Sequence, residues 1–304
     1  HWQRDIAYKS PLLQGKDIEV LPHAFPVEEY RVKPDADMLP EMLNSLRSLE
    51  GRAYDLYVTL VKDCETVKKE ILAFKNDAQI MMVDNRGYDL APFLKVLQSV
   101  SLDDYGYVIK LHTKRDLPKP VHLPYGCFKN SEWRNCLMGF LKDRPTFDEA
   151  YNLLEKHSEI GMLSHWKLIV KSGKEDREAT RRAEEIMQQL GLPPKERRFV
   201  AGTMFICRAK LMKPLLRLNY MANDFDVPAP NHAGGTLAHA MERVLGWLVS
   251  AQNSQIASYE PFSFGKILQV LLFKSRRFLY RKHTNSKGIT RIKICKIPVC
   301  TRRP

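Results

Sequence analysis

The amino-acid sequence predicts an α/β protein: a mostly parallel, Rossmann-like sheet flanked by helices, followed by a basic helical C-terminal tail. Three observations predict it. Short runs of β-branched and aromatic residues alternate with segments of helical apolar spacing from Asp17 to Gln252. The 304 residues are 44% hydrophobic and 27% charged, as in ordinary globular domains. The stretch from Pro261 to Pro304 holds 12 Lys and Arg and no Asp or Glu, against 36 basic and 35 acidic residues elsewhere.

These patterns divide the chain into three segments. Residues 1–16 are predicted to form an N-terminal extension, residues 17–258 the α/β domain, and residues 259–304 the basic tail. A chain of this length is long enough for one large α/β domain with a substantial core.

The first half of the domain alternates predicted strands with predicted helices. Such strand–helix–strand units connect parallel neighbours, with helices on the faces of the sheet. The strands are Asp17–Phe25, Tyr54–Val61, Ala78–Asn85 and Tyr105–Thr113, and the helices are Asp37–Leu49, Cys64–Phe74 and Leu90–Val100.

The second half is less regular. A proline-rich loop is predicted at Leu117–Gly126, and the segment Phe199–Leu216 reads as a loop, a strand and the start of a helix. Gly191 is a suitable C-terminal cap for the charged helix predicted at Lys174–Gly191. The other predicted elements are a strand at Glu159–His165 and helices at Ser131–Leu141, Lys174–Gly191 and Gly234–Gln252.

The composition also indicates the cellular compartment in which the protein works. The six cysteines form no CxxC pair and match no zinc spacing, which favours reduced thiols in a reducing compartment. There is no uncharged apolar run of transmembrane length. The first ten residues lack the apolar region of a secretory signal. We therefore expect a cytoplasmic location.

Polar residues crowd the end of the predicted strand Ala78–Asn85. Asn85, Arg86, Gly87 and Asp89 follow its apolar residues almost without interruption. Ligands of open α/β sheets bind beyond the carboxyl ends of strands, so these residues are placed to line a cleft. The alternatives are that Asn85 and Gly87 form a simple turn and that Asp89 only caps the next helix.

Four stretches together resemble the rhamnan synthesis F family of bacterial polysaccharide-assembly proteins. They are "NRGYDLAPFL", "YVIKLHTKRD", "FVAGTMFICRAKL" and "GTLAHAMER". The resemblance covers roughly Asp17 to Gln252. It implies a glycosyltransferase, typically a rhamnosyltransferase, with dTDP-rhamnose as donor and a growing lipid-linked polysaccharide as acceptor. The order of elements is also similar to that of GT-A nucleotide-sugar transferases, so the resemblance implies a GT-A-like fold.

GT-A enzymes usually hold a divalent metal on a D-x-D motif. By order, "YVIKLHTKRD" lies at that place and offers Lys110, His112 and Lys114. A hard cation needs oxygen ligands, so this is a poor magnesium or manganese site, although Asp116 leaves room for a weak one. We expect no cofactor and no metal site, with Lys114 and Arg115 stabilising the departing diphosphate. If the strand continues, Lys110 and Lys114 share a face and His112 lies on the other.

Inverting sugar transfer needs a base for the acceptor hydroxyl. By resemblance, the base follows the strand "GTMFICR", and the candidates are Glu242, His239 and Asp224. His239 and Glu242 are three residues apart and share a helix face. Gly202 and Thr203 are added to the donor-binding residues, since a glycine in a strand pattern suggests close backbone approach. The alternative for Glu242 is a surface charge pair with Arg243.

The tail mixes apolar residues with cations between Phe264 and Lys282. This pattern suits a helix on an anionic membrane, which predicts a peripheral protein on the inner face of the cytoplasmic membrane. The alternative is a helix packed on the domain with a solvated basic face.

Two rival functions remain open at this point. One is a non-catalytic glycan- or partner-binding module on a degenerate transferase fold. The other is a nucleic-acid-binding protein that uses the basic tail, which the near-neutral body and the lack of a recognition motif disfavour.

Overall fold

A computed structural model describes residues 4–8, 18–21, 38–114, 117–173, 177–228, 235–261, 263–284, 290–294 and 297–302. The strands are β1 (Arg4–Tyr8), β2 (Ile18–Leu21), β3 (Asp55–Leu60), β4 (Gln79–Met82), β5 (Tyr107–His112), β6 (Leu117–Leu123), β7 (Gly126–Asn130), β8 (Ile160–Ser164), β9 (Ile169–Lys171), β10 (Arg198–Val200), β11 (Phe205–Arg208), β12 (Gln255–Ser258), β13 (Tyr280–Thr284), β14 (Thr290–Ile294) and β15 (Ile297–Arg302). The α-helices are α1 (Met38–Leu46), α2 (Glu65–Phe74), α3 (Leu90–Ser99), α4 (Glu132–Leu137), α5 (Arg144–Lys156), α6 (Arg177–Gln189), α7 (Leu237–Ala251) and α8 (Phe264–Leu279).

One sheet of eight strands organises the domain. Strand β2 lies parallel between β3 and β5, β4 pairs parallel with β3, and β12 pairs parallel with β8. Strand β11 is antiparallel to both of its neighbours, β5 and β8. Strand β1 is antiparallel to β3 and β5. The α/β class is therefore confirmed, but the sheet is mixed, because only half of its described strand pairings are parallel.

The reversed strand has a local cause. Between β8 and β11 the chain forms the antiparallel pair β9–β10 and helix α6, which replace a simple crossover helix. The chain returns to the sheet from the end at which β8 finished, so β11 must run the opposite way. Periodicity along the sequence carries no information on strand direction.

The centre of the sheet is covered on both faces. All six positions of β5 are buried, including Lys110 and His112. Helix α7 begins with Thr236 as its N-cap, whose hydroxyl accepts a hydrogen bond from the backbone N–H of His239. Helix α6 ends as expected, with Gly191 at φ +68°.

Some elements differ from the predictions. The expected loop at Leu117–Gly126 is largely strand β6, paired with β7 across a register shift between Leu117 and Val121. That irregularity accommodates Pro118 and Pro120, which donate no ladder hydrogen bond. Strand β1 lies in the predicted N-terminal extension and joins the main sheet. Helix α5, which the sequence analysis missed, begins at the N-cap Asp143.

The tail is only partly helical. Helix α8 confirms the predicted helix, and an antiparallel sheet of β13, β14 and β15 follows it. The alternating apolar and basic residues of "TRIKI" fit such strands. Along the described part of the chain, every helix is too short or too polar to span a bilayer.

Candidate functional site

Charged side chains gather at one edge of the sheet. The carboxyl ends of the parallel strands β4 and β5 lie there. Because β11 is antiparallel and Phe205 pairs with Lys110, the turn before β11 reaches the same edge. The loop after β4, the end of β5 and the turn at Gly202–Thr203 therefore meet, although they are far apart in the sequence.

Asp89 is the centre of this cluster. Its Oδ2 accepts a hydrogen bond from Lys110 Nζ at 2.7 Å and another from the hydroxyl of Thr203. Lys110 Nζ also donates to Thr203 Oγ1 at 3.1 Å. Asp89 stands at the N-cap position of α3 but makes no side-chain capping hydrogen bond. Its carboxylate therefore serves the cluster and not the helix.

His112 lies on the same side as Lys110. Its Nδ1 is 3.7 Å from Asp89 Oδ2, and its side chain is almost fully buried. The expectation that His112 faces away from Lys110 and Lys114 was wrong, because residues two apart on a strand point to the same face. The predicted partner Arg115 and the predicted weak metal ligand Asp116 lie outside the described residues.

Burial dominates the electrostatics of the cluster. Desolvation raises the pKa of Asp89 to about 6, although Lys110 opposes the shift. Desolvation also lowers the pKa of Lys110 and of Lys114, with Asp89 and Glu242 opposing it in both cases. The pKa of His112 lies well below its usual range because of burial and the two nearby lysines. His112 is therefore neutral near pH 7.

The turn before β11 is held in an unusual backbone conformation. Gly202 has φ +85° and Thr203 has φ +54°. The N–H of Gly202 donates to Glu242 Oε1 at 2.8 Å, and a Cβ on Gly202 would come within 2.8 Å of Leu137. Positive φ at a threonine is costly and persists only where surrounding contacts impose it. Here the contacts are those with Asp89 and Glu242.

Two base candidates lie on α7 beside this turn. Glu242 is 21% exposed, and its Oε2 is 3.6 Å from Arg243 Nη1. The side chain of His239 shares a 2.7 Å hydrogen bond with Thr236 Oγ1 and packs edge-to-face on the ring of Tyr88. Arg243 is almost fully buried, so the pair with Glu242 is not the surface pair that the sequence allowed.

The third base candidate lies elsewhere. Asp224 is exposed, and its Oδ2 accepts a hydrogen bond from the N–H of Met221 at 2.7 Å. It thus closes its own short 3-10 turn at Ala222–Asp224. Among the described residues, no hydrogen bond or ion pair joins Asp224 to the cluster.

The loop after β4 is fastened to the segment at Phe225. Arg86 Nη1 donates to the carbonyl of Phe225 at 2.9 Å, and the N–H of Gly87 donates to the carbonyl of Asp226 at 2.9 Å. A Cβ on Gly87, which has φ +66°, would come within 2.6 Å of the Phe225 ring. Arg86 and Gly87 therefore shape the loop.

Asn85 is different. Its Oδ1 is buried and has no hydrogen-bond partner among the described residues. A buried amide oxygen without a partner is costly, so Asn85 is the residue of this loop best placed to accept a hydrogen bond from a ligand.

Sequence analysis missed Phe225 as a support of the loop. The only available signal was a single aromatic residue between Asp224 and Asp226.

The cluster does not suit a divalent cation. Asp89 and Glu242 already accept hydrogen bonds from the protein, and Lys110 and Lys114 place positive charge beside them. Over the described ranges, no three His, Cys, Asp or Glu side chains converge as metal ligands would. Metal independence stays a prediction, and Asp116, the possible weak ligand, lies outside the described residues.

The fold and this edge define an α/β protein with a buried charged cluster at the carboxyl ends of its strands. Comparison with known proteins gives the family: the family model for rhamnan synthesis protein F matches residues 13–254, so the chain belongs to that family. This confirms the resemblance seen in the four motifs. The family is one of polysaccharide biosynthesis.

Similar curated proteins exist in two strains of Xanthomonas campestris pv. campestris, including strain B100. Each is described as an uncharacterized protein WxcX, and each is 25% identical to this chain over 229 residues. The match covers 74% of this chain and 31% of the relative, so the chain spans less than a third of the length of these relatives. No solved structure matches the chain with significance.

Proposed function

We propose that this protein is a glycosyltransferase with a GT-A-like fold, which transfers a sugar from a nucleoside-diphosphate donor to a growing cell-surface polysaccharide. The single observation that carries the proposal is the cluster of Asp89, Lys110, Lys114 and Glu242 at the edge of the sheet where β4 and β5 end. Family membership supports the sugar chemistry, and it favours rhamnose from dTDP-rhamnose as the donor.

Strand directions support the GT-A-like assignment. The pairings give β2, β3, β4, β5, β8 and β12 one common direction, with β11 reversed between β5 and β8. The carboxyl ends of six strands then lie at one edge, where open α/β sheets bind ligands. The loop containing Asn85 and the turn at Gly202–Thr203 are both at this edge.

The proposed reaction uses a base and a cation. The acceptor hydroxyl attacks the anomeric carbon of the donor sugar, and the bond from that carbon to the diphosphate oxygen breaks. Glu242, which is partly exposed, takes the hydroxyl proton. The released diphosphate carries the bonding electron pair, and the Lys114 ammonium stabilises the developing charge. Lys110 and Thr203 hold Asp89, which keeps the donor-binding loop in position beside them.

We further propose that no divalent metal takes part. Lys114 is partly exposed, and the nearby carboxylates of Asp89 and Glu242 oppose the desolvation that lowers its pKa. It can therefore face a ligand while remaining part of the cluster. A lysine in a water-poor site acts as a point charge on phosphate oxygens, which is the electrostatic role a metal would otherwise have.

The acceptor is proposed to be a lipid-linked glycan at the inner face of the cytoplasmic membrane. Helix α8 supports this, because its apolar residues are exposed to an unusual degree: 77% for Phe264 and 57% for Leu272. Exposed apolar residues on a segment rich in Lys and Arg favour contact with an anionic lipid surface.

One observation favours a second candidate, a non-catalytic binding module. Both carboxylates of the cluster already accept hydrogen bonds within the protein, Asp89 from Lys110 and Glu242 from the Gly202 N–H. Such contacts would exist equally in a fold that only holds a glycan. No contact among the described residues favours nucleic-acid binding over these two.

An assay of donor turnover distinguishes the glycosyltransferase from the non-catalytic binding module. Purified protein is incubated with dTDP-rhamnose and, in parallel, other nucleotide sugars, and free nucleoside diphosphate is measured by chromatography. We expect release with at least one donor, reduced about a hundredfold or more in Glu242→Gln. Glutamine keeps an oxygen for the Gly202 N–H, so the fold is retained. The matched control is Glu149→Gln, which changes an exposed glutamate on α5. Donor binding without turnover in the wild type would favour the binding module.

A further inference from the structure

An open groove of about 690 Å³ lies beside α8, separate from the charged cluster. One wall is formed by Ile267, Val270 and Leu271 of that helix. The facing wall comes from Trp166, Ile169 of β9 and Ile256 of β12. A concave surface of this size is large enough to enclose a chain of some ten to fifteen carbon atoms, as ligand pockets of a few hundred cubic ångströms commonly do.

The lining favours an apolar occupant over a sugar. Both walls contain aliphatic side chains, which cannot hydrogen-bond to sugar hydroxyls: Ile267, Val270 and Leu271 on one wall, and Ile169 and Ile256 on the other. The carboxylate in the groove, Glu260, is already paired with Lys266 Nζ at 2.7 Å and with His165 Nε2 at 3.4 Å. An apolar chain, in contrast, would remove these aliphatic surfaces from water.

The rim of the groove is cationic. Lys171 and Arg198 stand opposite each other in the β9–β10 ladder, and both line the groove. Arg198 Nε is 3.2 Å from Glu196 Oε2, but both side chains are more than half exposed, so this pair holds the guanidinium only weakly. Two neighbouring cations at the mouth of an apolar groove complement an anionic head group such as phosphate.

Hydrogen bonds connect the groove to the cluster. Ser258 of the groove pairs with Ser164 of β8, whose hydroxyl donates to the carbonyl of Met204 at 3.1 Å. The N–H of Ala201 donates to the carbonyl of Leu168 at 2.9 Å. Met204 and Ala201 flank the turn at Gly202–Thr203. The groove and the cluster are thus neighbours across one strand pair.

We propose that this groove binds the lipid phosphate part of the acceptor, with its alkyl or isoprenoid chain against α8 and its phosphate at Lys171 and Arg198. The proposal rests on the proposed function for the identity of the attached glycan. The exposed apolar residues of α8 would let the chain pass between a lipid surface and the groove, and the adjacent cluster would receive the sugar end.

Binding of a soluble probe tests the groove directly. Farnesyl phosphate, below its micellar concentration, is titrated into the full-length protein by calorimetry. Leu271→Asp introduces a charge into the apolar wall, and we expect it to weaken binding at least tenfold. The matched control is Leu72→Asp, which changes an exposed leucine of α2 that lies outside the groove and outside the proposed membrane surface, and it should bind within about twofold of wild type.

The head group is tested separately. Lys171→Ala should weaken farnesyl phosphate binding roughly threefold to tenfold while leaving farnesol binding unchanged, since only the phosphate interacts with the rim. Absence of farnesyl phosphate binding, equal losses in Leu271→Asp and Leu72→Asp, or preferential binding of a lipid-free oligosaccharide that Leu271→Asp weakens would each overturn the proposal.

The design separates this proposal from the transferase proposal. Glu242→Gln should bind farnesyl phosphate as the wild type does, because Glu242 lies in the cluster and not in the groove. If donor turnover is absent but groove-dependent binding persists, the transferase proposal fails and the lipid phosphate site stands. If donor turnover is normal and farnesyl phosphate does not bind, the groove proposal alone fails.

Discussion

The ammonium group of Lys110 is fully buried and lies 2.7 Å from the carboxylate of Asp89. The two residues come from different elements, β5 and the start of α3. Lys110 Nζ also lies 5.3 Å from the centre of the Phe93 ring. The buried ammonium is therefore stabilised by the face of an aromatic ring as well as by a carboxylate. The pair joins the end of the loop after β4 to the central strand β5.

Removing the cation should destabilise the fold. Lys110→Met leaves the Asp89 carboxylate partly buried without its charged partner, and we expect a loss of about 3 kcal/mol in the free energy of unfolding at pH 7. Urea unfolding followed by circular dichroism measures it. The control is Arg47→Ala in the exposed pair Arg47–Glu50, which should cost less than about 1 kcal/mol. A loss of that small size for Lys110→Met would contradict a structural role for the pair.

The raised pKa of Asp89 makes the free energy of unfolding depend on pH. Folded protein holds the Asp89 proton up to about pH 6, whereas the unfolded chain releases it near 3.8. Between these values the folded state binds more protons, so this group's contribution to the free energy of unfolding falls as pH rises. Asp89→Asn removes that contribution. The stability of wild type relative to Asp89→Asn should therefore decline from about pH 4 to about pH 6.

Urea unfolding at several pH values measures this difference. Asp143→Asn is the control, because the capping hydrogen bond from Thr146 lowers the pKa of Asp143. Its stability contribution is therefore complete above the ordinary carboxyl range and constant from pH 5 upward. If the advantage of wild type over Asp89→Asn instead grows with pH, the pKa of Asp89 is lowered and Lys110 outweighs desolvation.

Position 87 requires glycine because neighbouring atoms leave no room for a Cβ and because the backbone has a positive φ. Gly87→Ala would place a methyl group 2.6 Å from the Phe225 ring at φ +66°. We expect a loss of about 3 kcal/mol, combining overpacking with left-handed backbone strain. Gly191→Ala is the matched control, with φ +68° but no atom within 4 Å, and should lose only about 1 kcal/mol. Thermal unfolding compares them, and equal losses would mean that the clash relaxes freely.

Activity should depend on Lys114 and not on a divalent metal. In the proposed mechanism, donor turnover persists in excess EDTA and falls about a hundredfold in Lys114→Ala, the loss typical of one stabilising donor. Lys114→Arg should keep part of the activity, because the charge survives. Lys142→Ala, an exposed lysine far from the pair Asp89–Lys110 in sequence, is the control. Turnover that vanishes with EDTA and returns with manganese would refute the metal-free mechanism.

Helix α8 should bind anionic membranes through its exposed apolar residues. The double substitution Leu268→Asp and Leu272→Asp places charges on that surface, and we expect cosedimentation with phosphatidylglycerol liposomes to drop at least tenfold. Leu216→Asp changes an exposed leucine of another segment and should leave binding unchanged. Equal cosedimentation of both variants would show that α8 is not the contact surface.

Much of the local structure was predictable. The strands that became β3, β4, β5 and β8 and the helices that became α3, α6 and α7 were found from periodicity and end signals. The position of Asn85 to Asp89 after a predicted strand also pointed to the edge where the charged cluster lies, although that strand, β4, is only partly buried. Helix α5 was missed although Asp143 and Pro145 mark its start, so that signal was present in the sequence.

The sequence by itself determined the α/β class, the family and the residue types available to the site, because apolar spacing and motif identity are properties of neighbouring residues. Only the tertiary structure decided the direction of β11, the use of Asp89 within the cluster and not as a cap, the separation of Asp224, and the groove beside α8. Each of these depends on contacts between residues far apart in the chain: Asp89 meets Thr203 across 114 residues, a distance over which no local pattern carries information.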